Sequence, residues 1–229
     1  MQLRVVTWNI RGKKSNEIWQ FLDDTTTSTI CLLQEANPSD TENETFLLNV
    51  IDKNRRATAI LTNGLALEKV ELKRNSHPGA ATVGKVLLAE AKPLTVISLY
   101  GLLDEGYSIT TLHRILSDLT PLIDHTKRVI IGGDFNASPQ WDERQSGTSS
   151  HQILFNRLED FGFTNCLADK GILQTWRSSH PTTKGFPWQL DYLFASNDIC
   201  AKLLDCTVFD DSQIHSFSDH NPVVADFDL

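Results

Sequence analysis

Six polar clusters stand at the ends of short apolar, β-branched runs, and their residue types can do chemistry together. Asn9 follows the run 3–8, Gln34 and Glu35 follow 30–33, and Tyr100 follows 94–99. Gly132-Gly133-Asp134-Phe135-Asn136 follows the run that ends at Ile131. Asp191 opens another run, and Ser218-Asp219-His220 precedes the last. In layered α/β folds, residues at strand ends converge on one rim, where binding and catalytic groups sit. Asn9, Glu35, Tyr100, Asp134, Asn136, Asp191, Asp219 and His220 are therefore expected in one pocket.

Four carboxylates cannot stay ionised together in one cleft without a cation. Carboxylate and amide oxygens suit Mg²⁺ or Mn²⁺, whereas zinc favours imidazole or thiolate. Such a metal keeps several waters and binds substrate phosphate. One histidine beside carboxylates suggests an oriented acid/base or a phosphate-polarising group. Asp191, at the start of an apolar strand, is costly to bury unpartnered, which favours a pairing with His220. Amides and a phenol add neutral donors for a phosphate or an attacking water. The set reads as metal-assisted hydrolysis of a phosphodiester or phosphomonoester.

These side chains need strands to hold them. The apolar runs predict strands near 3–8, 29–33, 57–61, 80–89, 94–100, 128–131, 190–195, 204–209 and 222–227. Helical spacing covers 109–123, where Ile109, Leu112, Ile115, Leu116, Leu119 and Ile123 share a face. The segments 16–22, 42–51 and 152–161 are further predicted helices. Strands outnumber helices and are separated by them, which implies an α/β architecture with more than one sheet layer. The 229 residues carry 40% hydrophobic and 22% charged side chains, too apolar for disorder and matched to one domain over 1–229.

No run approaches 18 apolar residues, so a membrane span is excluded, and without a signal-like start the chain is read as cytosolic. The four cysteines, Cys31, Cys166, Cys200 and Cys206, have no metal-ligand spacing and are read as reduced, mostly buried thiols. A formal charge of −8 argues against a broadly basic DNA-coating surface. That charge is concentrated: residues 203–229 hold six aspartates and neither Lys nor Arg, which leaves the remainder close to neutral.

The segments Trp8-Asn9-Ile10, Leu33-Gln34-Glu35, Ser98-Leu99-Tyr100, Gly133-Asp134-Phe135-Asn136, Leu190-Asp191-Tyr192 and Ser218-Asp219-His220 stand in a familiar order. It resembles that of the endonuclease/exonuclease/phosphatase superfamily, in its exonuclease III, AP-endonuclease and retrotransposon-endonuclease branch. The resemblance runs from residue 8 to 220 and implies a DNase I-like two-sheet α/β sandwich with flanking helices. It implies a metal held by Asn9, Glu35 and Asp219, with Glu35 the most direct ligand. Asp134, assisted by Asn136, would orient or deprotonate the attacking water. His220, held by Asp191, would contact the scissile phosphate, and Tyr100 stands where that branch carries a phosphate-contacting tyrosine.

The same resemblance implies DNA as substrate and partner, cut endonucleolytically to 5′-phosphate and 3′-hydroxyl by a monomer. AP endonucleases typically follow the tyrosine with Pro-Asn, but here Gly101-Leu102-Leu103 follows Tyr100. Conversely, 186–192 resembles their Trp-x-x-Asp-Tyr approach to the damaged nucleotide. Trp176 and Trp188 are candidates for stacking on bases, and Arg11 for reaching a phosphate. The remaining histidines, among them His125 and His151, lack ligand spacing and are read as ordinary residues. RNA, a nucleotide or a small phosphate or lipid ester is the alternative substrate, and a non-catalytic binding module the remote alternative.

Overall fold

The computed structural model describes residues 1–22, 27–52, 56–88, 92–123, 128–144 and 149–229. Residues 89 and 125, named above, lie outside these. The first six strands are β1 (Gln2–Asn9), β2 (Ser28–Gln34), β3 (Phe46–Asp52), β4 (Arg56–Asn63), β5 (Leu67–Lys69) and β6 (Ala81–Val86). They continue as β7 (Leu94–Tyr100), β8 (Val129–Asp134), β9 (Phe163–Asn165), β10 (Asp191–Ser196), β11 (Leu203–Val208) and β12 (Val223–Asp228). The nine expected strands form, and β3, β5 and β9 join them. The helices are α1 (Ile109–Ile123), α2 (Pro139–Arg144), α3 (Ser150–Asp160), α4 (Asn197–Cys200) and α5 (Ser212–Phe217).

Two six-stranded mixed sheets result, ordered β11-β12-β1-β2-β4-β3 and β5-β6-β7-β8-β10-β9. Their inner faces form one core, as the period-two alternation of strand side chains requires. Leu3, Val5, Ile30, Leu32 and Ile60 meet Val96, Ile130 and Leu193 there. The outer face of the first sheet packs Val6, Trp8, Cys31 and Leu33 against Ile18, Ile214 and Phe217. The outer face of the second is covered by α1 and α3 through Leu112, Ile115, Leu116, Leu119, Leu154 and Leu158. This is the DNase I-like sandwich, and its central pairs β1–β2 and β7–β8 are parallel.

At one end the inner core turns polar. Gln34 Nε2 donates to Ser98 Oγ of the other sheet at 3.1 Å, to Thr7 Oγ1 at 3.2 Å and to the Leu32 carbonyl at 2.9 Å. Ser98 Oγ donates to the Leu33 carbonyl at 2.8 Å, so this buried cluster is hydrogen-bonded throughout. It pins the sheets together behind the strand ends where Asn9, Glu35, Tyr100 and Asp134 emerge. At the opposite end of β1, the Met1 ammonium donates to the Leu229 carbonyl at 2.5 Å, so the first and last residues are neighbours.

The helix expected over 42–51 is a correction. Phe46 and Leu48 enter the outer core while Leu47 enters the inner one, a period of two that makes an edge strand paired to β4. The apolar run was too short for its period to distinguish strand from helix. The helix expected over 16–22 is a 3-10 helix at Ser15–Phe21, and α1 and α3 stand where expected. All four cysteines are free, three of them buried. Among the described residues no helix is long and apolar enough to cross a membrane.

Candidate active site

Each strand end delivers one group to a common cleft. Parallel pairing sets Asn9 beside Gln34, one residue before Glu35, and Tyr100 beside Asp134. Antiparallel pairing sets Asp191 beside Asp134. Three of the non-glycine residues here adopt left-handed backbone, Arg11 at φ 52°, Glu35 at φ 49° and Asn136 at φ 46°. Such conformations are uncommon outside glycine and persist where surrounding contacts over-determine them. At Glu35 the carbonyl is held by Gly12 N at 2.6 Å; at Asn136 the backbone N–H is held by Asp134 Oδ1 at 2.9 Å.

Asp134 lies at the centre and is buried. Asn9 Nδ2 donates to its Oδ2 at 2.9 Å and reaches Glu35 Oε1 at 3.3 Å. Asn136 Nδ2 donates to the Gly101 carbonyl at 3.0 Å. Tyr100 Oη donates to Glu35 Oε1 at 2.8 Å. His220 Nδ1 and Asp191 Oδ2 are 2.8 Å apart, and His220 Nε2 lies 3.8 Å from Asp134 Oδ2. The expected Asp191–His220 pairing is present.

The electrostatics separate two roles. Burial pushes the Asp134 carboxyl up to about 7, with His220 pulling it down and Asp191 adding to the rise. Burial opposes the His220 imidazolium, yet the Asp191 and Asp134 carboxylates outweigh it and hold its pKa up at about 9. Burial, then the Asp134 and Glu35 charges, raises the Tyr100 phenol far above its ordinary value. Near neutral pH the cleft thus holds a charged imidazole donor, a carboxylate poised to accept a proton and a neutral phenol donor.

Asp219 sits on the half-exposed rim, and Arg11 Nη1 lies 3.7 Å from its Oδ1 with the arginine largely in solvent. Among the described residues, potential ligand atoms of Asp134, Asp191 and His220 lie within 4.8 Å of one another. Within this set, Asp191 Oδ2 is already paired with His220 Nδ1 while Asp191 Oδ1 is buried without a hydrogen-bond partner, and all three residues are buried. Of the expected metal set, Glu35 and Asp219 are half-buried and Asn9 is buried; their hard oxygen donors fit Mg²⁺ or Mn²⁺. Trp188 is a correction: it is fully buried and stacked on Trp141 at 4.0 Å between ring centroids, so it offers no face to a substrate.

Trp176 is half-buried and lines a cavity of about 290 Å³ with Leu103, Tyr107, Trp141, His151 and Asn136. Tyr107, Trp141 and His151 had no motif to mark them; the packing of α2, α3 and the loop that carries Tyr107 brings them to the cavity. Thr175 is the other omission. Its Oγ1 accepts from the Leu190 and Asp191 amides at 2.9 and 3.0 Å, fixing the backbone that carries Asp191. Behind His220, Trp8 Nε1 donates to its carbonyl at 2.9 Å.

Two packed sheets with this rim of amide, carboxylate and histidine are the architecture of DNase I-like phosphoric-ester hydrolases. The chain belongs to the endonuclease/exonuclease/phosphatase family, whose model matches residues 6–220. Its fold is similar to that of the endonuclease domain of TRAS1, a telomere-specific non-LTR retrotransposon, at TM-score 0.73, 20% identity and 99% of both chains. It is similar to an AP endonuclease from Archaeoglobus fulgidus, at TM-score 0.74, 17% identity and 99% and 100% of the two chains. A 3′ phosphatase from Neisseria bound to product DNA hairpin gives 0.71, 18% identity and 99% of each chain. No curated protein sequence matches the chain.

Proposed function

We propose that the chain is a divalent-metal-dependent phosphodiesterase that cuts DNA by in-line attack of water, leaving 5′-phosphate and 3′-hydroxyl. The observation that carries this reading is Asp134 set between Asn9 at 2.9 Å and the Asp191-backed His220 at 3.8 Å. Asp134 accepts the proton of the attacking water, which its raised pKa favours, and Asn136 orients that water with it. His220, kept protonated by Asp191, donates Nε2–H to a phosphate oxygen and stabilises the charge that develops there. Tyr100 contributes a neutral hydroxyl beside the same oxygens. Asn9, Glu35 and Asp219 would hold the metal, which would supply Lewis-acid polarisation of the phosphate when bound.

Nucleic acid is favoured over a smaller ester by the cavity that shares Asn136 with the cleft. Its aromatic walls suit a base or sugar next to the scissile phosphate, and its size is at the lower end for small-ligand pockets. Two of the similar structures are an endonuclease domain and an AP endonuclease, and a third holds DNA. The second reading is hydrolysis of RNA, a nucleotide or a small phosphate ester; the charge of −8 favours its small-ester form, since RNA is as anionic as DNA. Supercoiled plasmid with Mg²⁺, Mn²⁺ or EDTA, beside Asp134→Ala, tests the first. Metal-dependent nicking is expected, reduced roughly 10²–10⁴-fold in the variant. No nicking of intact or abasic DNA by metal-loaded protein would refute it and direct assays to RNA and small esters.

A further inference from the structure

Residues 174–177 run between the two halves of the His220–Asp191 pair. On one side, Thr175 secures the Asp191 backbone. On the other, Arg177 is tied to 218–221 three times: its backbone N–H donates to the Asp219 carbonyl at 2.9 Å, Nη1 to Asn221 Oδ1, and Nη2 to the Ser218 carbonyl. The guanidinium is half-buried and feels the Asp210 and Asp219 carboxylates. The far side of the same turn is held by Ser218 Oγ donating to the Asn9 carbonyl at 2.7 Å.

We propose that Arg177 is a positioning residue, which fixes the 218–221 turn so that Asp219 and His220 keep their places at the metal rim and beside the scissile phosphate. The proposal rests on the hydrolase reading above. Adjacent residues with two different tasks need a backbone that does not rotate, because small misplacements of reacting groups cost rate steeply. The planar guanidinium meets two acceptors three residues apart at once. A lysine ammonium, a point charge on a flexible stem, does not reproduce that fork. An arginine that bound substrate phosphate would act on KM and its salt dependence, and one that only stabilised the fold would leave turnover per folded molecule unchanged.

The test uses the full chain with Arg177→Ala and Arg177→Lys, checked for folding by thermal unfolding. The readouts are kcat and KM for plasmid nicking and Mn²⁺ affinity by calorimetry without DNA. Loss of outer-shell support typically costs about 10–100-fold in metal affinity or activity, so Arg177→Ala is expected to lose about that in kcat and Mn²⁺ affinity, with KM within about twofold. Arg177→Lys remains impaired in both, and low-millimolar guanidinium restores part of the alanine variant's Mn²⁺ affinity. Folded variants with wild-type kcat and Mn²⁺ affinity, or with a loss confined to KM, overturn the proposal. If the alanine variant does not fold, the lysine variant decides by the same readouts. A wild-type protein that hydrolyses no phosphate ester removes the hydrolase reading, while the Mn²⁺ titration still decides the role of Arg177.

Discussion

At the scale of single residues, His220 carries the largest consequence for pH. Its proton is bound more tightly in the folded protein than in the unfolded chain. The stability it contributes is therefore fully present below the unfolded value, about 6.5, and is lost as pH rises through about 9. Asp134, also raised, to about 7, acts earlier: burying it costs stability as pH climbs from about 4 towards that value. Above pH 7 the thiols of Cys31, Cys166 and Cys206, which burial pushes up, contribute to the pH dependence as well, so the His220 contribution is read as a difference from a variant. Urea unfolding of metal-free wild type and His220→Gln at pH 7 and 9.5 is expected to show the wild-type advantage shrinking by about 1 kcal/mol or more across that interval. An advantage independent of pH would mean that the imidazole is neutral in the fold.

At the scale of elements, β8 is the tightest constraint on the site. A Cβ on Gly133 would stand 2.0 Å from the Leu99 carbonyl oxygen, and one on Gly132 would stand 2.7 Å from both Leu193 and Leu32. Gly132 thus lets the two sheets approach behind Asp134, and Gly133 lets β7 pair closely with β8. Gly133→Ala is expected to cost about 3 kcal/mol, or roughly 6–12 °C in Tm, as differential scanning calorimetry would measure. The strand ends were legible because buried strands announce themselves as apolar runs and the polar residue that ends each one is plain in sequence. Eight catalytic and metal candidates were found that way, and the structure gathers them. What was not legible depended on packing between distant segments: the period of 42–51, the burial of Trp188 under Trp141, and the cavity walls Tyr107 and His151. The left-handed backbone at Glu35 and Asn136 also had no sign in sequence, since neither residue is glycine.

At the scale of the whole molecule, charge limits how the proposed DNA substrate can be held. With a formal charge of −8, and with Arg11 beside Asp219 and Arg56 against Tyr100 as cations placed at the cleft, the protein has little with which to displace counterions. Each phosphate neutralised contributes about 0.9 to the slope of log affinity against log salt, so a slope of about 1 to 3 is expected between 50 and 200 mM KCl, read from KM for nicking. A flat response would favour a small ester, and a slope near 8 or more would require a basic surface this chain lacks. The pairing of β1 with β12 has a different consequence. Met1 and Leu229 lie within one hydrogen bond of each other, while Asn9 stands about 26 Å away at the far end of β1, at about 3.3 Å per residue. Anything attached at either end leaves from the back of the enzyme, so tethering to a bead or a carrier points the cleft outward. A circularly permuted version, its old ends joined by a short glycine-serine link and reopened at an exposed loop tip, should cut as the parent does.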